Sequence, residues 1–328
     1  DALTGVHTAA ATYNTAVGSL SLDSLTQGTQ NTGIGYNTLA GVLTTNYNTA
    51  VGAGCLATTT GTGNTAVGQG CAYGLTTGSN NTAMGYAALD AAFTGSSATA
   101  VGQGAAGAAT SATFLTAVGR NGLLTGLGNT ALGYQALMFA DGAEARNTSV
   151  GTFAGRFCDG TDDCIAIGFG ALSGVNPSYY SDGDTANATK PTGNQNIAIG
   201  SYAMDAMTSG ADNVALGHNA LTAFTGSNAT AVGSGAMGAA TSAGYSTAVG
   251  MSADNCIAIG HNALAGPSVA KATANFNHAI GSSALASITS GANNIAIGGY
   301  ALGSSTTGNA NTAIGGSGMY NCVTGTNN

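Results

Sequence analysis

The residues that could bind a metal gather in two short acidic segments. Segment 158–164 has the sequence CDGTDDC, and segment 181–184 has the sequence SDGD. Carboxylates around a glycine turn offer the oxygen ligands that Ca²⁺ takes, but neither segment matches the twelve-residue calcium loop. We therefore expect solvated loops and no cofactor, with Ca²⁺ binding as the alternative.

The six cysteines indicate an oxidising compartment. Cys158 and Cys164 flank a short loop that can close on itself. Cys55 and Cys71 occupy the same position of consecutive repeats, and stacking at about 4.8 Å per coil would bring their Cα atoms within disulfide range. We predict a disulfide in each pair. Cys256 and Cys322 are too many coils apart to pair within one chain. They are either free buried thiols or interchain contacts.

Catalytic and nucleotide-binding motifs are absent or out of context. Segments 102–107 and 233–238 match the glycine fingerprint of dinucleotide-binding folds, but no strand–helix–strand unit surrounds them. Glu144 is the only glutamate, so glycosidase chemistry with paired glutamates is excluded and only paired aspartates remain possible. His218 and His261 share one repeat position, where turn residues facing solvent are favoured over a metal pair. We predict that the protein is not an enzyme.

Few residues carry charge. The 328 residues include 5 Lys and Arg and 13 Asp and Glu, and 44% of the chain is hydrophobic. Five cations spread along the chain cannot neutralise a phosphate track, which excludes nucleic-acid binding by a basic surface. No apolar run approaches the roughly 18 residues of a membrane span, so we expect no membrane insertion.

A five-residue core, Asn-Thr-Ala-Val-Gly, recurs along the chain and is its main organising signal. Its glycine occurs eighteen times, from Gly18 to Gly315, most often in steps of 17 residues. Random drift would not keep this register over such a length. We therefore predict a single repeat domain over residues 1–328, with the repeats covering 14–319.

Each position of the core predicts a structural role. An apolar β-former such as Val17 precedes the glycine, the residue before it is always small, as at Ala16, and the next one back is Thr or Ile, as at Thr15. The first and third of these residues therefore share one face, and the small residue takes the other. The asparagine that usually precedes them, as at Asn14, can form a hydrogen-bonded ladder along a stack of coils.

After the glycine comes a second short run, such as residues 36–39, and then a turn of Thr, Ser and Gly. Runs of four to five residues are too short for helices but suit strands. The sequence predicts an all-β fold, a parallel β-solenoid or β-roll of about eighteen ~17-residue coils. Each coil would hold a strand, a glycine turn, a second strand and a polar turn.

The small position marks a place where backbones crowd, either inside the coil or at an axis between chains. Because a thin coil buries little apolar area, we predict a homotrimer with the small-residue face towards the axis. We expect the repeated threonine to point inward. An ice-binding solenoid would need a flat outward threonine array, so that function is disfavoured.

The unit Asn-Thr-Ala-Val-Gly-Tyr-x-Ala-Leu resembles the repeats of phage tail-fibre proteins and of trimeric autotransporter adhesin heads, over residues 14–319. The resemblance implies a left-handed parallel β-roll, with three chains around a threefold axis. It also implies an extracellular fibre, on a virion or a cell surface, that attaches one biological surface to another. Its partners would be copies of itself, a host-surface glycan or protein, and other virion or surface proteins. Adhesin heads usually have somewhat shorter coils.

The longest break in the repeat is an insertion loop at 174–195. It contains Tyr179 and Tyr180 beside Asp182 and Asp184, residue types that can contact a receptor. Loops inserted into solenoids usually leave one face, often the binding face, so these four residues are the predicted receptor contacts. The alternative is a degenerate coil whose repeat signal has drifted.

These observations favour a non-enzymatic attachment fibre. The alternative is a structural subunit of a self-assembling extracellular filament that polymerises end to end through uncapped coils. A glycan-cleaving fibre is disfavoured, because no acidic pair lies at matching repeat positions.

Overall fold

The structure is a computed structural model. Its described residues are 11–42, 44–122, 126–139, 145–158, 160–174, 190–237, 257–259, 263 and 276–328, with the backbone alone at 247–249. The chain divides into two compact units, Asp1–Gly160 (unit 1) and Thr161–Asn328 (unit 2). The single repeat domain over residues 1–328 stays a prediction.

The described residues of unit 1 form nine strands of three residues. They are β1 (Thr15–Val17), β2 (Thr32–Ile34), β3 (Thr49–Val51), β4 (Thr65–Val67), β5 (Thr82–Met84), β6 (Thr99–Val101), β7 (Thr116–Val118), β8 (Thr130–Leu132) and β9 (Thr148–Val150). Each strand pairs in parallel with the next in chain order. Like residues lie beside like, so that Ala50 pairs with Ala66.

Unit 2 repeats this arrangement. Its strands are β10 (Ile165–Ile167), β11 (Ile197–Ile199), β12 (Val214–Leu216), β13 (Thr230–Val232), β14 (Thr247–Val249), β15 (Ile257–Ile259), β16 (His278–Ile280), β17 (Ile295–Ile297) and β18 (Thr312–Ile314). Parallel pairing again follows chain order, and Ala198 lies between Ala166 and Ala215. The described residues contain no helix. The predicted all-β fold and parallel β-solenoid are therefore confirmed.

In β2–β13 and β15–β18 the small middle residue is buried inside its own coil. Ala50 is fully buried within one chain, whereas the flanking Thr49 and Val51 are only partly buried. At Gly33 even a methyl group would lie 2.6 Å from Ser21 Oγ, because the opposite arc of the coil is so close. The predicted alternation of faces is confirmed. The expectations of an inward threonine and of a small-residue face at an interchain axis are wrong.

The run after the glycine is an arc of turns, and the predicted second strand is wrong. Positive φ recurs at alternate residues, with Asn37 at 55° and Leu39 at 51°. The Asn37 N–H donates to the Ser19 carbonyl of the preceding coil, and the Leu39 N–H donates to the Cys55 carbonyl of the following coil. This alternation curls the backbone, so that the neighbouring side chains of Thr38 and Leu39 are both buried.

Each core glycine forms the bend between the strand and this arc. Gly68, directly after β4, has a φ of 136°, which L side chains rarely adopt. A Cβ at Gly68 would lie 2.4 Å from the carbonyl oxygen of Gly85 in the next coil. The bend therefore requires glycine both for its backbone angle and for its stacking distance.

The asparagine column connects successive coils, as the sequence predicts. Asn64 Oδ1 accepts the backbone N–H of Asn81 at 3.0 Å, and Asn64 Nδ2 donates to the Gly78 carbonyl at 2.9 Å. Asn64 and Asn81 are both buried. Each amide thus satisfies backbone groups of the next coil that the three-residue strands leave unpaired. In unit 2, Cys164 stands at this position and accepts the Asn196 N–H through Sγ at 3.4 Å.

One fully buried cation lies in the interior of unit 1. The guanidinium carbon of Arg156 lies 5.4 Å from the ring centre of Phe139, 4.9 Å from that of Phe153 and 5.1 Å from that of Phe157. The aromatic faces attract the cation and replace part of its hydration shell. Arg156 therefore belongs to the packing of the coil.

Candidate binding surfaces

The outward face of the unit 1 strands is an uncharged surface of two columns. The first column is threonine in all nine strands, and the third strand position is apolar throughout. The more exposed members of the apolar column are Val17, Ile34, Met84 and Leu132, which are 39–55% exposed. A contiguous apolar surface of this kind is a candidate site for contact with another molecule.

The same face is more apolar in unit 2. Isoleucine or valine replaces threonine in the first column at Ile165, Ile197, Val214, Ile257 and Ile295. The unbroken threonine array is therefore confined to unit 1. The sequence disfavours ice binding because its threonines are expected to point inward, and that expectation is wrong. The outward threonine array that ice binding needs is nevertheless interrupted in unit 2.

A second exposed surface follows the glycine bend, at the residue directly after each core glycine. In unit 1 this position is Tyr at 36, 86 and 134. Tyr134 is packed, because its ring contacts Phe153 with centroids 5.5 Å apart and lies 5.7 Å from the Arg120 guanidinium carbon. The rings of Tyr36 and Tyr86 are 59% and 57% exposed. We use the name tyrosine column for five consecutive members of this row, although only two are tyrosines: Tyr36, Ala53, Gln69, Tyr86 and Gln103.

The sequence pattern includes these tyrosines but does not identify them as a surface. Their exposure depends on the next coil, which has Gly54 beside Tyr36 and Gly104 beside Tyr86. Gly54, Gly104 and Phe153 are each the second residue after a core glycine, and Phe153 packs against Tyr134. A comparison of each tyrosine with the second residue after the core glycine of the next repeat would have identified the exposed rings from sequence.

The predicted receptor contacts Tyr179, Tyr180, Asp182 and Asp184 lie outside the described residues. Their role stays a prediction. Lys190 begins the described segment that follows them, and Asn194 Oδ1 accepts the Asp162 N–H at 2.9 Å. This contact holds the end of the insertion on unit 2.

Of the two acidic segments for which Ca²⁺ binding is the alternative, 158–164 is described except for Asp159, and 181–184 lies outside the described residues. No group of three His, Cys, Asp or Glu side chains that could hold a metal ion occurs among the described residues. Asp162 and Asp163 are described, whereas Asp159 is not. The Asp162 carbonyl accepts the Gln195 N–H at 2.9 Å, so its backbone serves the stacking of coils.

The four cysteines of the predicted disulfides are buried and are not disulfide-bonded in the structure. They are Cys55, Cys71, Cys158 and Cys164. Burial, with the neighbouring Cys55 thiol, raises the pKa of Cys71 to about 12. Burial also raises the pKa of Cys55 and of Cys164. Neither disulfide is formed there, and both pairings stay predictions for the chain in an oxidising compartment.

Peptide mapping tests both pairings. For protein recovered from an oxidising medium and digested without reduction, we expect linked peptides for Cys55–Cys71 and for Cys158–Cys164. In a reduced control, the raised pKa of Cys71 keeps its thiol protonated at pH 8, so alkylation should need denaturant. Recovery of all four cysteines as free thiols from the unreduced sample would reject both disulfides.

Comparison with protein-family models and with curated proteins finds no match to this chain. Among the described residues, no helix is long and apolar enough to span a bilayer.

Proposed function

We propose that the chain is a non-enzymatic extracellular attachment fibre, which assembles as a homotrimeric rod on a virion or a cell surface. One observation carries the proposal: the strands expose an uncharged column of Val, Ile, Leu and Met on their outer face. A single chain leaves this column in water. Association of copies through it would bury the column, which favours assembly.

The stacking of coils supports a mechanical role. Parallel strands in register, together with the asparagine column, connect each described coil to its neighbours within a unit through short hydrogen bonds. Among the described strands, contacts are made between strands of neighbouring coils, so length is added without a larger core. Such a structure can hold a binding element away from the surface that carries it. The partners we propose are a host-surface glycan or protein and the other proteins of the virion or cell surface.

Deletion of residues 176–190 tests where receptor binding occurs. We expect the deletion variant to keep its trimeric mass and to lose at least tenfold in adsorption to host cells, because three weak contacts per trimer combine through avidity. A matched control replaces the same residues with a Gly/Ser linker of equal length. Unchanged adsorption would show that the insertion loop does not contact the receptor. Absence of adsorption by the unmodified protein to any candidate cell would contradict the attachment function itself.

A further inference from the structure

The tyrosine column of unit 1 contains two open aromatic rings separated by small or amide side chains. Tyr36 and Tyr86 are three coils apart, which at about 4.8 Å per coil is roughly 14 Å. The two intervening positions are Ala53 and Gln69, and Gln103 follows Tyr86. All five residues are exposed, and none is charged.

The backbone of the column is fixed. The Tyr36 carbonyl accepts the Gly54 N–H at 2.9 Å, and the Tyr86 carbonyl accepts the Gly104 N–H at 2.9 Å. The Gln69 carbonyl accepts the Ala87 N–H at 3.0 Å. Because the coils hold every one of these carbonyls, the spacing between the backbone positions that carry the two rings is set before any ligand arrives. A preorganised surface loses less conformational entropy on binding.

Among the described residues, no aromatic ring packs against Tyr36 or Tyr86, although rings do so at equivalent positions elsewhere. Tyr134 is packed against Phe153, and in unit 2 Phe169 contacts Tyr202 with ring centres 5.2 Å apart. Beside Tyr36 and Tyr86 the next coil instead has Gly54 and Gly104, which supply no side chain; the Tyr73 ring borders Gly54, and the Asn121 amide borders Gly104. Two exposed aromatic rings thus lie three coils apart.

We propose that the tyrosine column binds a linear, uncharged oligosaccharide that runs along the stack of coils. The C–H faces of two sugars stack on Tyr36 and Tyr86, since an aromatic ring offers an apolar face with a polar hydroxyl at its edge. The amides of Gln69 and Gln103 donate to and accept from the sugar hydroxyls between and beyond the rings. None of these five positions is charged, and the next position of the same row is Arg120, so we expect a neutral glycan over these five coils. This proposal rests on the attachment function and names its ligand class.

A repeating polymer suits this surface better than a folded protein does. The column is a shallow row with polar groups between isolated rings, whereas protein interfaces need a contiguous apolar centre. A chain of similar sugars can contact similar coils in succession. Assembly of several copies would multiply weak contacts.

The test uses the full chain in its assembled form and titrates it calorimetrically with maltohexaose, cellohexaose and a linear galactan hexasaccharide. At least one is expected to bind. The double variant Tyr36→Ala/Tyr86→Ala should then bind it at least tenfold more weakly. Tyr47→Ala is the matched control: Tyr47 is 62% exposed in the same unit but lies outside the column. Its affinity should stay within twofold of the unmodified protein.

Several results would overturn the proposal. One is that none of the three neutral sugars binds, and another is that a sialic acid hexamer binds more tightly than all of them. The others are an unchanged affinity of the double variant and an equal loss of affinity in Tyr47→Ala. Cell adsorption separates this failure from failure of the attachment function. If the double variant still adsorbs to cells as the unmodified protein does, attachment stands and uses another element.

Discussion

Replacing Gly68 with alanine is expected to destabilise unit 1 by at least about 2 kcal/mol. A residue with a side chain held at a φ of 136° costs on the order of 1–3 kcal/mol. In addition, the new methyl group would lie 2.4 Å from the Gly85 carbonyl oxygen, so the two coils must move apart and lengthen their hydrogen bonds. Thermal unfolding followed by circular dichroism measures the effect.

Gly70→Ala is the matched control. Gly70 also has positive φ, at 62°, but a Cβ there meets nothing within 4 Å. At the equivalent position of the next coil, Ala87 already adopts a φ of 52°. We therefore expect a small loss for Gly70→Ala. Equal melting temperatures for the Gly68 and Gly70 variants would contradict the role assigned to the bend.

Replacing Ala198 with leucine is the second change for which we expect a large effect. Ala198 is fully buried inside its coil and lies between Ala166 and Ala215 of the adjacent strands. Overpacking of a core typically costs about 1–3 kcal/mol per site, and an assembly of three chains would repeat the change in each. The variant should melt earlier and lose part of its assembled form on size-exclusion chromatography.

Ser201→Leu provides the comparison. Ser201 lies directly after the core glycine and is only partly buried, so a larger side chain can extend into solvent. We expect a change in stability within about 0.5 kcal/mol, as for ordinary surface substitutions. If both variants melted at the same temperature, the strand would not present Ala198 to the interior.

The order of strands could be predicted from the sequence because every coil repeats the same local rule. The alternation of Thr65, Ala66 and Val67 predicts a strand, and the constant step predicts parallel pairing in register. Which face of the strand points into the coil could not be predicted in this way. Hydrophobicity favours Val67 inside, but the opposite arc lies so close that only a residue as small as Ala66 fits.

The second half of the coil and the candidate site were harder to predict. Four residues such as 36–39 resemble a strand, yet alternating φ turns two adjacent side chains inward, which a simple alternation pattern does not predict. The open rings of Tyr36 and Tyr86 depend on glycine in the following coil. Such exposure is a property of two stacked repeats and is not visible within either one.

The mass of the assembled protein under native conditions tests the account most directly. The exposed apolar column of the strands favours association of copies, and the proposed trimeric fibre predicts a single species of three times the 31.3 kDa chain mass, independent of concentration. A monomer that keeps its full β-sheet signal would contradict the trimeric fibre, and a ladder of masses that grows with concentration would instead indicate an end-to-end filament.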